Sequence, residues 1–249
     1  MIGPRPLLLA AAIVMLLTPL GAGAGDPVRE CQVPPELVDD ELRLPQLGQL
    51  LQANRPITIV AIGGASTSGM AAKNPDEDAY PRRLQNALRQ RHPGVPISVV
   101  NKGIPRQTTQ DMVDRFGRDV YKLTPNVVIW ETGNFDAARN VDVDTFANAL
   151  ASGLTDLREH NVEVILIDMQ YSRSSASVIN FEPYLDAMQR AADVDGVYRF
   201  RRFEMMKYWS ENGVFDFVDT PKEQRAQFAG DVYRCIAERL ADAIEHAIR

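Results

Sequence analysis

Five short runs of apolar, mostly β-branched residues recur along the chain: ITIVAIG from Ile57, ISVVNKG from Ile97, NVVIWETG from Asn126, VEVILIDM from Val162 and VYRFRRF from Val197. Their cores are apolar at successive positions rather than alternate ones, which marks strands buried on both faces. Between them lie segments with helical periodicity: YPRRLQNALRQRH with Pro81 in its first turn, TTQDMVDRFGRDVYKL, VDTFANALASGLTDLREH and NFEPYLDAMQRAAD. KEQRAQFAGDVYRCIAERLADAIEHAIR closes the chain as one or two further helices. Strands that alternate with helices form a parallel sheet covered on both sides. The expected fold is therefore α/β, a three-layer α/β/α sandwich around a five-stranded parallel sheet. A chain of 249 residues, 45% hydrophobic and 24% charged, is sufficient for one domain with its own core.

The first residues set the expected compartment. MIGPRPLLLAAAIVMLLTPLGAGAGDP has an early cation, Arg5, an apolar run from Leu7 to Leu17 and small residues at Ala22-Gly23-Ala24, the pattern of a secretory signal. Residues 1–24 are read as that signal, with cleavage after Ala24. The alternative is a retained anchor, but the apolar run falls short of the ~20 residues a spanning helix needs. No later segment reads as membrane-spanning. Residues 25–56 are read as an N-terminal extension packed on a domain formed by residues 57–249. Cleavage removes one arginine and no acid, taking the formal charge from −6 to −7. An acidic protein is a poor partner for nucleic acid or for anionic lipid surfaces, so neither is expected. The chain has two cysteines, Cys31 and Cys235. Export places them where disulfides persist, and a bridge between them is expected over the alternative of two buried thiols.

Ligands of parallel α/β proteins bind outside the carboxyl ends of the strands. The first such end carries GGASTSG, residues 63–69, which lacks both the Lys-Ser/Thr ending of a P-loop and the GxGxxG spacing of a dinucleotide fingerprint. The clustered aspartates of a phosphorylation receiver are missing as well. No cofactor and no metal are expected.

Gly64-Ala65-Ser66-Thr67-Ser68-Gly69, Asn101-Lys102-Gly103 and Glu131-Thr132-Gly133-Asn134 resemble, in order, the first three sequence blocks of the SGNH/GDSL hydrolases, and Met169-Gln170-Tyr171 resembles the fourth strand end of their exported bacterial branch. The similarity runs from about Ile57 to the C-terminus. It implies a flavodoxin-like sheet, a periplasmic location, and a serine ester hydrolase acting on acylated glycans or lipids. In that pattern Ser66 is the nucleophile, and its backbone amide joins Gly103 and Asn134 in an oxyanion hole. Such a hole must be built in advance, because the tetrahedral oxyanion needs donors already in place. Read without a gap, the third block puts Phe135 at the asparagine position; a one-residue shift gives it to Asn134.

The late block departs from the family. Gln224 and Gln227 stand where its Asp-x-x-His supplies a base and an orienter. A glutamine amide cannot take a serine's proton at neutral pH. Of the three histidines, His92 and His160 precede strands and belong at the opposite edge of the sheet, while His246 lies in the last helix. Arg106, Glu131, Gln170 and Tyr171 fall at the same edge as Ser66 and are expected to contact a ligand, with Gln107, Asp136, Arg139 and Asp168 nearby. Met205, Met206 and Trp209 are read as the core face of a short helix. Two functions remain: an exported serine ester hydrolase using Ser66, and a degenerate relative that keeps the crevice as a non-catalytic binding or assembly module for an acylated glycan or lipid. The missing base favours the second. Nothing in the sequence fixes an oligomeric state.

Overall fold

The structure is a computed structural model that describes Gly3 and residues 31–38, 43–195, 197–215, 218 and 220–248. The expected signal segment, Gly3 apart, and its cleavage point lie outside the described residues. Five strands, β1 (Ile57–Gly63), β2 (Ile97–Gly103), β3 (Val127–Glu131), β4 (Glu163–Ile167) and β5 (Tyr198–Phe200), form one sheet in the order β2-β1-β3-β4-β5. All four pairings are parallel. Each run of apolar residues supplies both faces, because successive side chains of a strand point in opposite directions. Ile57, Ile59 and Ala61 of β1 pack on one side with helices Tyr80–Arg91, Arg202–Glu211 and Arg225–Ala247. Val60 and Ile62 pack on the other with helices Val143–Glu159 and Glu182–Asp195. The result is the expected three-layer sandwich. Each fully buried Ile or Leu contributes roughly 1.5–3 kcal/mol, so both layers are needed to hold the sheet.

The segment 108–123 is not one helix. It divides into Thr109–Val113, Phe116–Asp119 and a 3₁₀ turn, Tyr121–Leu123. The break falls at Arg115, which is buried with φ −109° and ψ 6°. Its guanidinium turns inward, donating to Gln107 Oε1 at 2.6 Å and to the Gly63 carbonyl at 3.3 Å. The last segment is a single helix, and Met205, Met206 and Trp209 are buried as expected.

Apolar burial, a disulfide and hydrogen bonds draw the N-terminal part onto the sandwich. Leu44 and Leu47 enter the core beside β1, and Cys31 is bridged to Cys235 of the last helix. Trp209 Nε1 donates to the Gln32 carbonyl at 3.0 Å. Among the described residues no helix is long and apolar enough to cross a membrane.

The strand order reverses at β1. The chain leaves β1 toward β2 on one side and returns to β3 on the other, so the connections beyond β1 and β3 diverge and open a crevice at the carboxyl edge.

Candidate functional site

Ser66 sits at this reversal. Beyond β1 the chain makes a short turn of helix, Ala65–Ser68, and Ser66 is left 3% exposed at its start. Gly103, at the end of β2, lies directly against this turn; a Cβ there would stand 2.2 Å from Ser68 N. Asn101 fastens the two together, its Nδ2 donating to the Thr67 carbonyl at 2.7 Å while its Oδ1 accepts from Gly103 N–H at 2.8 Å. Beyond β3, Gly133 takes φ 87°, a left-handed conformation open to glycine, and turns the chain so that Asn134 faces back toward Glu131.

An ion pair fills the space behind Ser66. Glu131 and Arg202 are 2% and 1% exposed, and Arg202 Nη2 meets Glu131 Oε1 at 3.1 Å. Arg202 Nη1 donates to Ser66 Oγ at 2.8 Å, and its other nitrogens donate to the Met169 carbonyl at 3.3 Å and the Asp168 carbonyl at 2.6 Å. The carboxylate is as fully engaged. Oε1 also accepts from Asn134 Nδ2 at 2.9 Å, and Oε2 accepts from Thr67 N–H at 3.0 Å and from the Thr67 hydroxyl. Burial works to raise the Glu131 carboxyl, but Arg202, with hydrogen bonds from Ser66 and Thr67, outweighs it and holds the group below its usual range. Asp168, pushed up to about 7 chiefly by burial, lies at the end of β4 and accepts from Arg199 Nη1 at 2.7 Å and from Phe203 N–H at 2.8 Å. Asp168 thereby fixes the first turn of helix Arg202–Glu211, which carries Arg202.

Two adjoining cavities open in front of this network. The smaller, about 300 Å³, is lined by Ser66, Arg106, Glu131, Asn134, Phe135 and Gln170 among others. The larger, about 660 Å³, shares Asn134 and Gln170 with it and continues past Tyr171, Phe181, Arg225 and Tyr233. Six of the seven residues named from the sequence thus meet in one crevice. The seventh, Gly103, stands behind the serine turn, with its N–H given to Asn101. Asn134, rather than its neighbour Phe135, touches the network; its Nδ2 is given to Glu131, and its Oδ1 accepts from Gln170 N–H at 2.8 Å.

The histidines lie elsewhere. His92 Nε2 pairs with Glu245 at 2.7 Å, His160 stacks on Tyr121 at 3.6 Å, and His246 is exposed on the last helix. Gln224 and Gln227 are exposed and line neither cavity; Gln227 Nε2 reaches Asp231 at 3.4 Å. Sequence reasoning missed Arg202, Thr67 and Tyr80, whose hydroxyl lies 3.2 Å from Thr67 Oγ1. A carboxylate ending a buried strand was a signal that a cation must lie nearby, and Arg202 was available just past β5.

A parallel 2-1-3-4-5 sheet with a serine turn at its reversal point defines the class: this is the fold of the SGNH/GDSL hydrolases. Within it, the chain belongs to the non-GDSL lipase-like family, whose profile matches residues 30–249. A lipolytic protein of the G-D-S-L family from Desulfitobacterium hafniense DCB-2 aligns over 75% of this chain and 98% of its own at 22% identity and TM-score 0.57. A two-domain esterase active on acetylated mannans aligns at 16% identity and TM-score 0.67, over 87% of this chain and 58% of its own. The acetylxylan esterase Axe2 of Geobacillus stearothermophilus, in a catalytic mutant, aligns at 19% identity and TM-score 0.58, over 77% of this chain and 94% of its own. At these identities the likeness is one of fold. No curated protein matches the chain.

Proposed function

We propose that this member of the family keeps the crevice as a non-catalytic binding or assembly module for an acylated glycan or lipid. The observation that carries the reading is the hydrogen bond from Arg202 Nη1 to Ser66 Oγ at 2.8 Å. A general base must stand within about 2.6–3.2 Å of the proton it takes. At Ser66 that distance is occupied by a guanidinium, which has donors only and stays charged at any working pH. Glu131 is an inferior substitute, since three neutral donors and the Arg202 cation already hold its charge. The hydroxyl is thus left with Glu131 as the one carboxylate partner for its proton, a group whose hold on a proton is weakened below its usual range, and the Gly103 N–H that the family pattern assigns to an oxyanion is given to Asn101. The disulfide and the leader-like first residues support an exported, periplasmic protein.

A fluorophosphonate probe and a short-chain aryl ester test the reading. Both are expected to react with the protein no faster than with its Ser66→Ala variant. Rapid labelling that depends on Ser66 at neutral pH would make the protein an active ester hydrolase instead.

A further inference from the structure

The crevice is cationic although the protein is acidic. Arg106 lines the smaller cavity, and among the described residues neither a carboxylate nor any other group partners its guanidinium. Its backbone holds φ 63°, a left-handed conformation unfavourable for a residue with a side chain. Such strain at a crevice points to a conformation kept for a ligand. Arg139 lies over the ring of Phe135 at 5.6 Å, outside the residues that line the cavity. Arg225 lines the larger cavity, with the Thr220 carbonyl at 3.2 Å as its acceptor. Against these two lining cations the described residues of the two linings present one carboxylate, Glu131, and Arg202 already neutralises it.

We infer that the crevice receives an acidic oligosaccharide, with one carboxylate at Arg106 and another at Arg225. This rests on the reading of the protein as a binding module and specifies what it binds. Cations in two adjoining cavities suit a ligand whose acidic groups repeat along its length. Between them the wall shared by the two cavities is Asn134 and Gln170, uncharged amides; Asn134 keeps one N–H beyond its bond to Glu131, and the Gln170 amide can meet a sugar hydroxyl. Tyr171 and Tyr233 offer ring faces in the larger cavity. A fatty acid would place a single carboxylate and leave either Arg106 or Arg225 without one.

Calorimetric titration of the full chain with tetragalacturonate and with mannotetraose, a neutral glycan of equal length, tests the inference, with octanoate as the acyl comparison. The acidic glycan is expected to bind at least about tenfold more tightly than the neutral one, as a charge-assisted contact provides. Arg106→Ala and Arg225→Ala should each weaken it about tenfold, and Arg106→Lys should recover part of the loss, keeping the charge without the planar fork. Binding should also weaken as ionic strength rises from about 0.01 M to about 0.15 M, where the screening length falls from ~30 Å to ~8 Å. Both arginines are exposed, so a matched melting curve is expected to show the variants folded. Equal or tighter binding of mannotetraose, indifference to both arginine changes, or no binding of the acidic glycan at about millimolar concentration overturns the inference. Octanoate binding with the same arginine dependence in place of tetragalacturonate overturns it too, by placing the carboxylate on an acyl chain. A neutral ligand bound by a protein with a silent Ser66 would refute the acidic ligand and leave the binding module intact. Ser66-dependent labelling would instead refute the module.

Discussion

Arg202 is tied to the interior by four bonds, and the energetic consequence follows from what it would leave behind. A buried ion pair contributes little beyond a well-packed apolar pair, but removing one partner strands the other's charge and typically costs about 3–5 kcal/mol. Arg202→Met should therefore destabilise the protein by that amount in urea unfolding, with Glu131 left buried and uncompensated. Adding Glu131→Gln to Arg202→Met should recover part of the loss, since the stranded charge is then gone. An Arg202→Met protein whose unfolding free energy lies within about 0.5 kcal/mol of the parent would show that the pair is not the site's anchor. Ser66, Glu131 and Asn134 were legible in the sequence because each ends or follows a strand, and strand ends are found by local pattern. Arg202 was not, because its partners lie 136 and 71 residues away and FRRF reads locally as the tail of a strand.

Between β2 and β3 the chain crosses the sheet edge in three short pieces, and their joint at Arg115 is tied to the end of β1. Asp119 accepts from Arg115 Nη1 at 3.1 Å and Arg118 Nη2 at 2.8 Å, with Lys102 3.7 Å away. Arg115 in turn holds the end of β1 through the Gly63 carbonyl, and Gln107 beside Arg106. The Arg118 hydrogen bond, and after it those of Arg115, keep the Asp119 carboxyl at about 2 against the opposing effect of burial. A carboxyl held below its unfolded value, about 3.9, adds stability above that pH. The contribution is lost as pH falls through about 2. Asp119→Asn should thus cost about 1 kcal/mol or more near neutrality, by the loss of charge-assisted bonds, and the gap from the parent should close as pH falls from about 4 to about 2. Denaturant melts of the two proteins across that range would show it; a gap that stays constant excludes the linkage. The break at Arg115 was not legible. Residues 108–123 keep helical periodicity throughout, and what interrupts them is Arg115 turning onto a carbonyl 52 residues earlier.

At the scale of the whole molecule, the layers follow from the sequence while the order of the strands does not. Continuous apolar runs require burial on both faces, and β1 supplies both with alternate residues. The position of β1 between β2 and β3 is a matter of which long connection crosses which edge. That information is absent from local periodicity and came from the family resemblance. The closing element is legible in a different way, because a chain with two cysteines has one intramolecular pairing to make. Cys31 and Cys235 are both fully buried and enclose a separation of 204 residues. Cys235 lies two positions past Tyr233, on the helix whose first turns wall the larger cavity. The bridge restricts the unfolded chain, and a loop of this length is expected to contribute about 2–5 kcal/mol. Replacing both cysteines with serine, so that no lone thiol remains, should lower the unfolding free energy by that amount. Reduction of the parent should lower its melting temperature in the same direction. Non-reducing peptide mapping should recover the two cysteine peptides as one species; two separately alkylated peptides, or a double variant that melts with the parent, would mean that the N-terminal segment is held by its other contacts, among them Leu44, Leu47, the Trp209 bond and the Arg201 bond to the Glu36 carbonyl.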